Sequence, residues 1–197
     1  MKSQVAGIDV SKYQGKIDWS KVDTSIKFVI AKKSEGITHE DTYWCHNIQN
    51  CNRPIGLYHF FRPQYDGIEQ ARFFLTGFSK SDVDIIPVID VEDSKYWHSS
   101  SVGRLNLQLM IVHIFDSLGV WPIIYTNNNF WKKHLQGNIS IGGCLLWIAD
   151  WTGNSYPQIP VEFDDWKIWQ HTSRGRVRGI IGYVDMNLAH LDYIIWK

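Results

Sequence analysis

Ile85-Ile-Pro-Val-Ile-Asp-Val-Glu92 is an apolar run that ends in two carboxylates. A short, near-continuous apolar stretch reads as a strand buried on both faces, as in a parallel sheet covered by helices. Side chains alternate along a strand, so Asp90 and Glu92, spaced i, i+2, share a face, with Cα atoms roughly 6.5–7 Å apart. In a closed barrel that face is the interior, and the strand ends at the mouth where reactive groups gather. Two carboxylates held together in a partly dry site cannot both ionise freely, so one keeps a proton at neutral pH. Glycoside hydrolysis needs such a pair: an acid for the leaving oxygen and a carboxylate facing the developing positive charge. A lone D-x-E is better explained by helix capping or pairing with arginine. Here the strand context and two further aspartates weigh against that account.

Outward from this run the chain alternates extended and helical segments. Strands are predicted over 5–11, 28–34, 55–61, 85–92, 121–127, 145–151, 166–172 and 183–187, each rich in Val, Ile, Tyr, Phe or Trp with turn residues nearby. Helices are predicted over 39–50, 66–78, 100–118 and 128–135. In the third, Leu105, Leu109, Val112 and Phe115 recur at helical spacing and Gly119 follows as a stop. The pattern is α/β: a parallel sheet of eight strands closed into a TIM-like barrel, one domain over 1–197. The last connections are too short for strand–helix–strand crossovers, so the final third should lack outer helices.

Asp9, in Gly7-Ile-Asp-Val-Ser11, lies late in the first strand, and Asp185, in Gly182-Tyr-Val-Asp-Met-Asn187, lies in the last. Closure makes those strands neighbours, so four acids should ring one cavity. Other strand ends carry aromatic and polar residues: Tyr58 and Phe60, Tyr125, Trp147 with Asp150 and Trp151, and Trp169 with Gln170. Tyr and Trp offer an apolar face and one polar handle, which suits a pyranose ring. The chain as a whole has ten Trp, nine Tyr and nine Phe in 197 residues.

Other function classes are poorly served. Twenty cationic and twenty anionic residues leave no basic surplus for a nucleic acid. No apolar run approaches the roughly 18 residues of a membrane helix. The N-terminus shows no apolar leader core. Cys45 and Cys51, six residues apart in a predicted helix, stand roughly 9 Å apart along its axis, too far for a disulfide. With Cys144 they read as three free, buried thiols. His39, Glu40, Asp41, Cys45 and His46 lack metal-ligand spacing and read as a solvated helix face; no metal or other cofactor is expected. His59 reads as structural, facing into the barrel or out of it. Arg174-Gly-Arg-Val-Arg178 reads as an exposed turn or hairpin.

Gly7-Ile-Asp-Val-Ser11, Glu35-Gly36, Gly56-Leu-Tyr-His-Phe60, Pro87-Val-Ile-Asp-Val-Glu92, Leu146-Trp-Ile-Ala-Asp150, Ile168-Trp-Gln170 and Val184-Asp-Met-Asn187 together resemble the ordered motifs of glycoside hydrolase family 25. These are the Chalaropsis-type lysozymes, or N-acetylmuramidases, which include many phage endolysins. The resemblance spans about residues 5–195. It implies a (β/α)5(β)3 barrel that hydrolyses the β-1,4 bond from N-acetylmuramic acid to N-acetylglucosamine in bacterial peptidoglycan, with retention. By the resemblance Glu92 is the proton donor. Asp90 is the second carboxylate, either attacking the anomeric carbon or orienting the substrate's own N-acetyl group. Asp9 and Asp185 match the other two acidic positions, and Tyr58, Tyr125, Trp147 and Asp150 match cleft positions. Phe60, Trp151 and Gln170 join the expected substrate-binding set from their strand-end places. The family's Lys-Ala-Thr-Glu-Gly reads Lys32-Lys-Ser-Glu-Gly36 here, and alternation points Lys33 away from the interior.

The expected partner is peptidoglycan, with no nucleic acid, no membrane insertion and a monomeric chain. No separate wall-binding module fits within 197 residues, so the cleft itself or a partner must hold the enzyme at the wall. Action at the wall would follow either a cytoplasmic, endolysin-like pool or a mature secreted form. Two rivals remain at this stage: a non-catalytic wall-binding protein on the same barrel, and a glycosidase cleaving after N-acetylglucosamine.

Overall fold

The computed structural model describes residues 4–97 and 100–196; residues 1–3, on which the expectation about a leader partly falls, lie outside them. The elements in order are β1 (Val5–Val10), β2 (Ile26–Glu35), β3 (His39–Glu40), α1 (Trp44–Asn50), β4 (Ile55–Phe60), α2 (Gly67–Leu75), β5 (Val88–Asp90), α3 (Ser100–Leu118), β6 (Ile123–Asn127), α4 (Asn128–His134), β7 (Leu145–Ala149), β8 (Trp166–Gly175), β9 (Val184–Ala189) and α5 (Leu191–Ile194). Strands pair in the order β1-β9-β8-β7-β6-β5-β4-β2, and β1 pairs again with β2, closing an eight-stranded barrel. β3 is a two-residue antiparallel addition to β2.

All eight predicted strands form, and the closed barrel departs from a wholly parallel one at a single strand. β9 runs antiparallel to both β8 and β1. The 176–183 connection is too short for a crossover, so β8 and β9 make a hairpin. The antiparallel turn changes which end of β9 reaches the mouth: Asp185, near its start, sits opposite Asp9, near the end of β1. The first crossover, between β1 and β2, carries two 3-10 turns (Lys12–Gln14 and Trp19–Lys21) rather than an α-helix. No α-helix lies between β7 and β8 or between β8 and β9.

Alternation sorts the core into two layers. Phe28 and Ile30, Val88, Ile123 and Ile168 pack together inside the barrel. Val29 and Ala31, Ile89, Ile124 and Ile148 point the other way and meet the helices through Leu107, Met110, Ile111 and Ile114 of α3. Gly7 is small for a reason: a Cβ there would stand 2.2 Å from the Phe28 ring. α5, which the sequence pattern did not reveal, packs Ile194 into the interior layer, and its carbonyl accepts from the Ile86 amide at 2.9 Å.

Four expectations are corrected. Helix α1 starts at Trp44 rather than His39, because His39 and Glu40 pair back onto β2. Asp41 is not a solvated helix residue: it is buried and accepts from the amides of Lys12 (2.8 Å) and Tyr43 (3.0 Å). The three cysteines are free, but Cys45 is exposed and Cys51 half-buried; Cys144 alone is buried. On α3 the Leu105, Leu109, Val112 repeat is not the buried stripe, since Leu105 and Val112 are 56% and 48% exposed. The helix is apolar on both sides, and the sequence repeat marks the outer one.

Lys33 points away from the interior, as alternation requires, at a register shift between β2 and β4. It is nevertheless fully buried. Its ammonium donates to Glu40 Oε1 at 2.7 Å and to the Phe73 carbonyl at 3.0 Å, between the rings of Trp44 and Phe73. Lys33→Ala removes a fully packed aliphatic stem, so it should lower stability by about 2–3 kcal/mol in chemical denaturation. Hydrolytic activity of the folded fraction should stay at the wild-type level.

Candidate active site

One step above the apolar interior layer, the strands present polar and aromatic side chains to the barrel mouth. Asp9 follows Gly7 by two residues, Lys32 follows Ile30, Tyr58 follows Gly56, Asp90 follows Val88, Tyr125 follows Ile123, and Gln170 follows Ile168. Asp9, Asp90, Glu92 and Asp185 share one cavity of about 80 Å³ with Tyr58, Tyr125, Trp147 and Gln170. The four acids predicted to converge therefore do converge. A second cavity of about 270 Å³ opens beside Glu92 and is lined by Asn127, Asn128, Asp150, Trp151 and Gln158, among others. A third, of about 290 Å³, opens on the opposite side toward Tyr13, Gln14, Lys32, Glu35, Phe60 and Arg62. Glu92 lines all three. Every residue of the expected catalytic and substrate-binding set lines at least one, but the strand-end Trp169 lines none: it packs in the outer layer, and its indole N–H donates to the Asp150 carbonyl at 2.8 Å.

Burial shapes the electrostatics. Asp9 Oδ2 accepts from Gln170 Nε2 (2.9 Å) and Asn187 Nδ2 (2.8 Å). Burial, and then the charge of Asp185, push the Asp9 carboxyl up to about 8, and it hydrogen-bonds to Asp185. Burial also raises Asp185, against the hydrogen bond from Asp9. That pair holds a proton at neutral pH. Burial and then the Glu92 charge raise Asp90 well above the carboxylate range, with Lys32 opposing. Burial and then Asp185 and Asp93 raise Glu92, again with Lys32 opposing. Asp90 Oδ1 is buried with no hydrogen-bond partner among the described residues. Burial, followed by the neighbouring acids, pushes the Tyr58 and Tyr125 hydroxyls up as well.

One wall is an ion network. Lys32 Nζ donates to Glu35 Oε2 at 2.6 Å, Arg62 Nε donates to Glu35 Oε1 at 3.0 Å, and Arg62 also bonds Asp93. Burial raises Glu35, but Lys32 and Arg62 outweigh it and hold the carboxyl near 2. Lys32 and Arg62 both lie over the Phe60 ring. His59 faces outward, buried, bonded to Ser34 Oγ (2.9 Å) and Gln70 Oε1 (3.2 Å); burial holds its ring at about 3. It is structural. Asp150 borders the groove, but its oxygens accept from the Thr152 amide and hydroxyl and the Gln158 amide, so the carboxylate braces its own loop. Arg62, Asp93 and Asn187 were missed. Arg62 and Asn187 lie two residues beyond Phe60 and Asp185, so the alternation that found the others also reaches them.

These shifts fix a pH dependence. A carboxyl raised on folding keeps a proton that the unfolded chain has lost, so stability falls as pH rises toward its folded value. Between about pH 7 and 8 the unfolded histidines have lost most of their protons, and the raised acids dominate. Stability should fall across that window, by at most about 1.4 kcal/mol per pH unit for each acid, and the melting temperature should fall with it. Asp9→Asn should flatten the slope; an unchanged slope in thermal melts would contradict a proton held on Asp9.

An eight-stranded barrel whose mouth gathers paired carboxylates under an aromatic groove is the frame of a glycoside hydrolase. Comparison with known proteins agrees: the profile of Glycosyl hydrolases family 25 matches residues 8–180, and the chain belongs to that family. Lysozyme M1 of Streptomyces globisporus is 32% identical over 201 residues, covering 94% of this chain and 67% of that protein. The uncharacterized protein YegX of Escherichia coli K12 is 34% identical over 196 residues, covering 93% and 69%. The crystal structure of the bacterial lysozyme from Streptomyces coelicolor superposes with a TM-score of 0.84 at 29% identity, over 96% of this chain and 94% of that one. Among the described residues no helix is long and apolar enough to cross a membrane, and no cluster of His, Cys, Asp or Glu suits a metal ion.

Proposed function

We propose that the chain is a muramidase that hydrolyses the β-1,4 bond between N-acetylmuramic acid and N-acetylglucosamine in bacterial peptidoglycan, with retention of configuration, at the cell wall. The carrying observation is the place of Glu92, common to the acid cavity and to the two grooves that flank it. A polymer lying across the mouth passes both grooves and presents one glycosidic oxygen above Glu92. The raised Glu92 carboxyl gives its proton to that oxygen as the C1–O bond breaks. Asp90 is the second carboxylate, facing the positive charge that develops at C1. The Lys32 ammonium opposes the rise of both Asp90 and Glu92 and so favours one ionised carboxylate in the pair; in the proposed step Asp90 carries that charge while Glu92 holds the proton. Asp90 either bonds C1 directly or orients the substrate's acetamido oxygen to do so; in both cases water then replaces it on the original face. Glu92, now a carboxylate, takes the proton of that water. Asp9 and Asp185 complete the cluster, and Tyr58, Phe60, Tyr125, Trp147 and Trp151 supply faces for sugar rings.

Incubation with purified peptidoglycan should release new reducing ends, with the β-anomer appearing first by proton NMR before mutarotation. Release from chitin at an equal rate, or the α-anomer first, would contradict the assigned bond or the assigned stereochemistry respectively.

A further inference from the structure

Gln170 lies midway along β8 and is 2% exposed, yet it borders the acid cavity. Its side-chain oxygen and one N–H of its amide are already committed. Oε1 accepts from the Tyr125 hydroxyl at 3.0 Å and from the Trp151 indole N–H at 3.1 Å. Nε2 donates to Asp9 Oδ2 at 2.9 Å. An amide oxygen has two acceptor sites, and both are filled, so no acceptor is left for a sugar hydroxyl. The partners differ in kind. Trp151 is 57% exposed and lines the 270 Å³ groove; the bond to Gln170 is the one its indole N–H makes. Asp9 is buried on the far side of the amide and bonded to Asp185. A parallel strap supports Asp9: Trp147 Nε1 donates to Asn187 Oδ1 at 2.8 Å, and Asn187 Nδ2 donates to Asp9.

We infer that Gln170 is a positioning residue rather than a substrate ligand, a single amide that holds the Trp151 sugar platform with its oxygen and the Asp9 carboxyl with its nitrogen. The orientation of the amide is thereby fixed from both ends. Only a side chain that accepts at one end and donates at the other serves both. The donor half matters because Asp9 faces Asp185 from β9, Asp90 and Glu92 from the end of β5, Lys32 from β2 and the Tyr58 and Tyr125 hydroxyls. The amide N–H is one of two neutral donors that favour the charged form of Asp9 against burial and that acidic company. The acceptor half matters because an exposed indole with a free N–H loses its fixed pose and offers a less ordered face to a sugar ring.

The two halves separate by substitution. Gln170→Glu keeps an acceptor for Tyr125 and Trp151 but sets a second carboxyl against Asp9 in place of the amide donor. Gln170→Met loses both. Trp151→Phe keeps a stacking face without the N–H. The Asp9 carboxyl carbon, followed by NMR, should titrate near pH 8 in the wild type and about one unit higher in both Gln170 variants. KM on solubilised peptidoglycan fragments should stay within about twofold in Gln170→Glu and rise about five- to tenfold in Gln170→Met. Trp151→Phe should raise KM similarly, and the double variant with Gln170→Met should add nothing further. An unmoved Asp9 titration, or equal KM effects in Gln170→Glu and Gln170→Met, would overturn the inference. If Gln170→Met does not fold, Gln170→Glu against Trp151→Phe makes the same split. The inference on KM rests on the muramidase reading. A wild-type protein without activity would fail that reading, whereas the Asp9 titration tests Gln170 regardless.

Discussion

Glu92→Gln lowers the rate of peptidoglycan hydrolysis by about 10²–10⁴-fold, the contribution of a positioned general acid. The amide keeps the shape of the carboxylic acid but has no proton to give to the leaving oxygen. The loss should fall on kcat, with KM little changed, because the proton matters only as the bond breaks. Stability should move the other way. Glu92 is raised on folding by burial and by Asp185 and Asp93, so its ionised form opposes folding at neutral pH. The glutamine removes that opposition, and the melting temperature at pH 7 should hold or rise. Steady-state kinetics and thermal melts on the same preparation separate a lost proton donor from a damaged fold. A folded Glu92→Gln protein that hydrolyses at near the wild-type rate contradicts the proposed chemistry.

Gly67→Ala should be the most destabilising single methyl in the molecule's helix layer. Alanine is ordinarily the better helix former by about 1 kcal/mol, so propensity alone gives the opposite sign. Packing decides. Gly67 opens α2 behind Asp66, whose Oδ1 accepts from the Glu69 amide at 3.0 Å. A Cβ on Gly67 would stand 1.8 Å from the Asn106 carbonyl oxygen and 2.9 Å from the Met110 amide nitrogen, both backbone atoms of α3. Neither helix can yield alone, since Asn106 Nδ2 also ties α3 to the Pro63 carbonyl at 2.9 Å. The expected loss is about 3 kcal/mol or more. For a chain of this size that is a fall of roughly 6–12 °C in melting temperature. Activity at low temperature should survive, because α2 and α3 touch the barrel from outside.

The barrel was legible because buried parallel strands announce themselves as short apolar runs, and each of the eight predicted runs holds a barrel strand. The direction of β9 was not, because alternation is the same whichever way a strand runs; only the length of the 176–183 connection carries the direction. On α3 the periodic apolar residues identified the helix but not its buried side, since Leu107, Met110, Ile111 and Ile114 make a second stripe equally apolar. Lys33 shows a related limit: alternation gives the face, but not that α1 and α2 seal it from water. In the site, closure of the barrel and the i, i+2 rule were enough to bring Asp9, Asp90, Glu92 and Asp185 together. Hydrogen-bond allegiance lay beyond sequence. Gln170 and Asp150 both border the groove, and the structure shows their polar atoms occupied by the protein itself.

The most direct test is the chemistry of the cut end. Purified peptidoglycan digested with the wild-type protein and with Glu92→Gln should be reduced with borohydride and the fragments read by mass spectrometry. Reduced muramic acid ends in the wild-type digest, absent from the variant, are the result expected of a muramidase with Glu92 as its proton donor. Reduced glucosamine ends, or no new ends from folded wild-type protein, would contradict it.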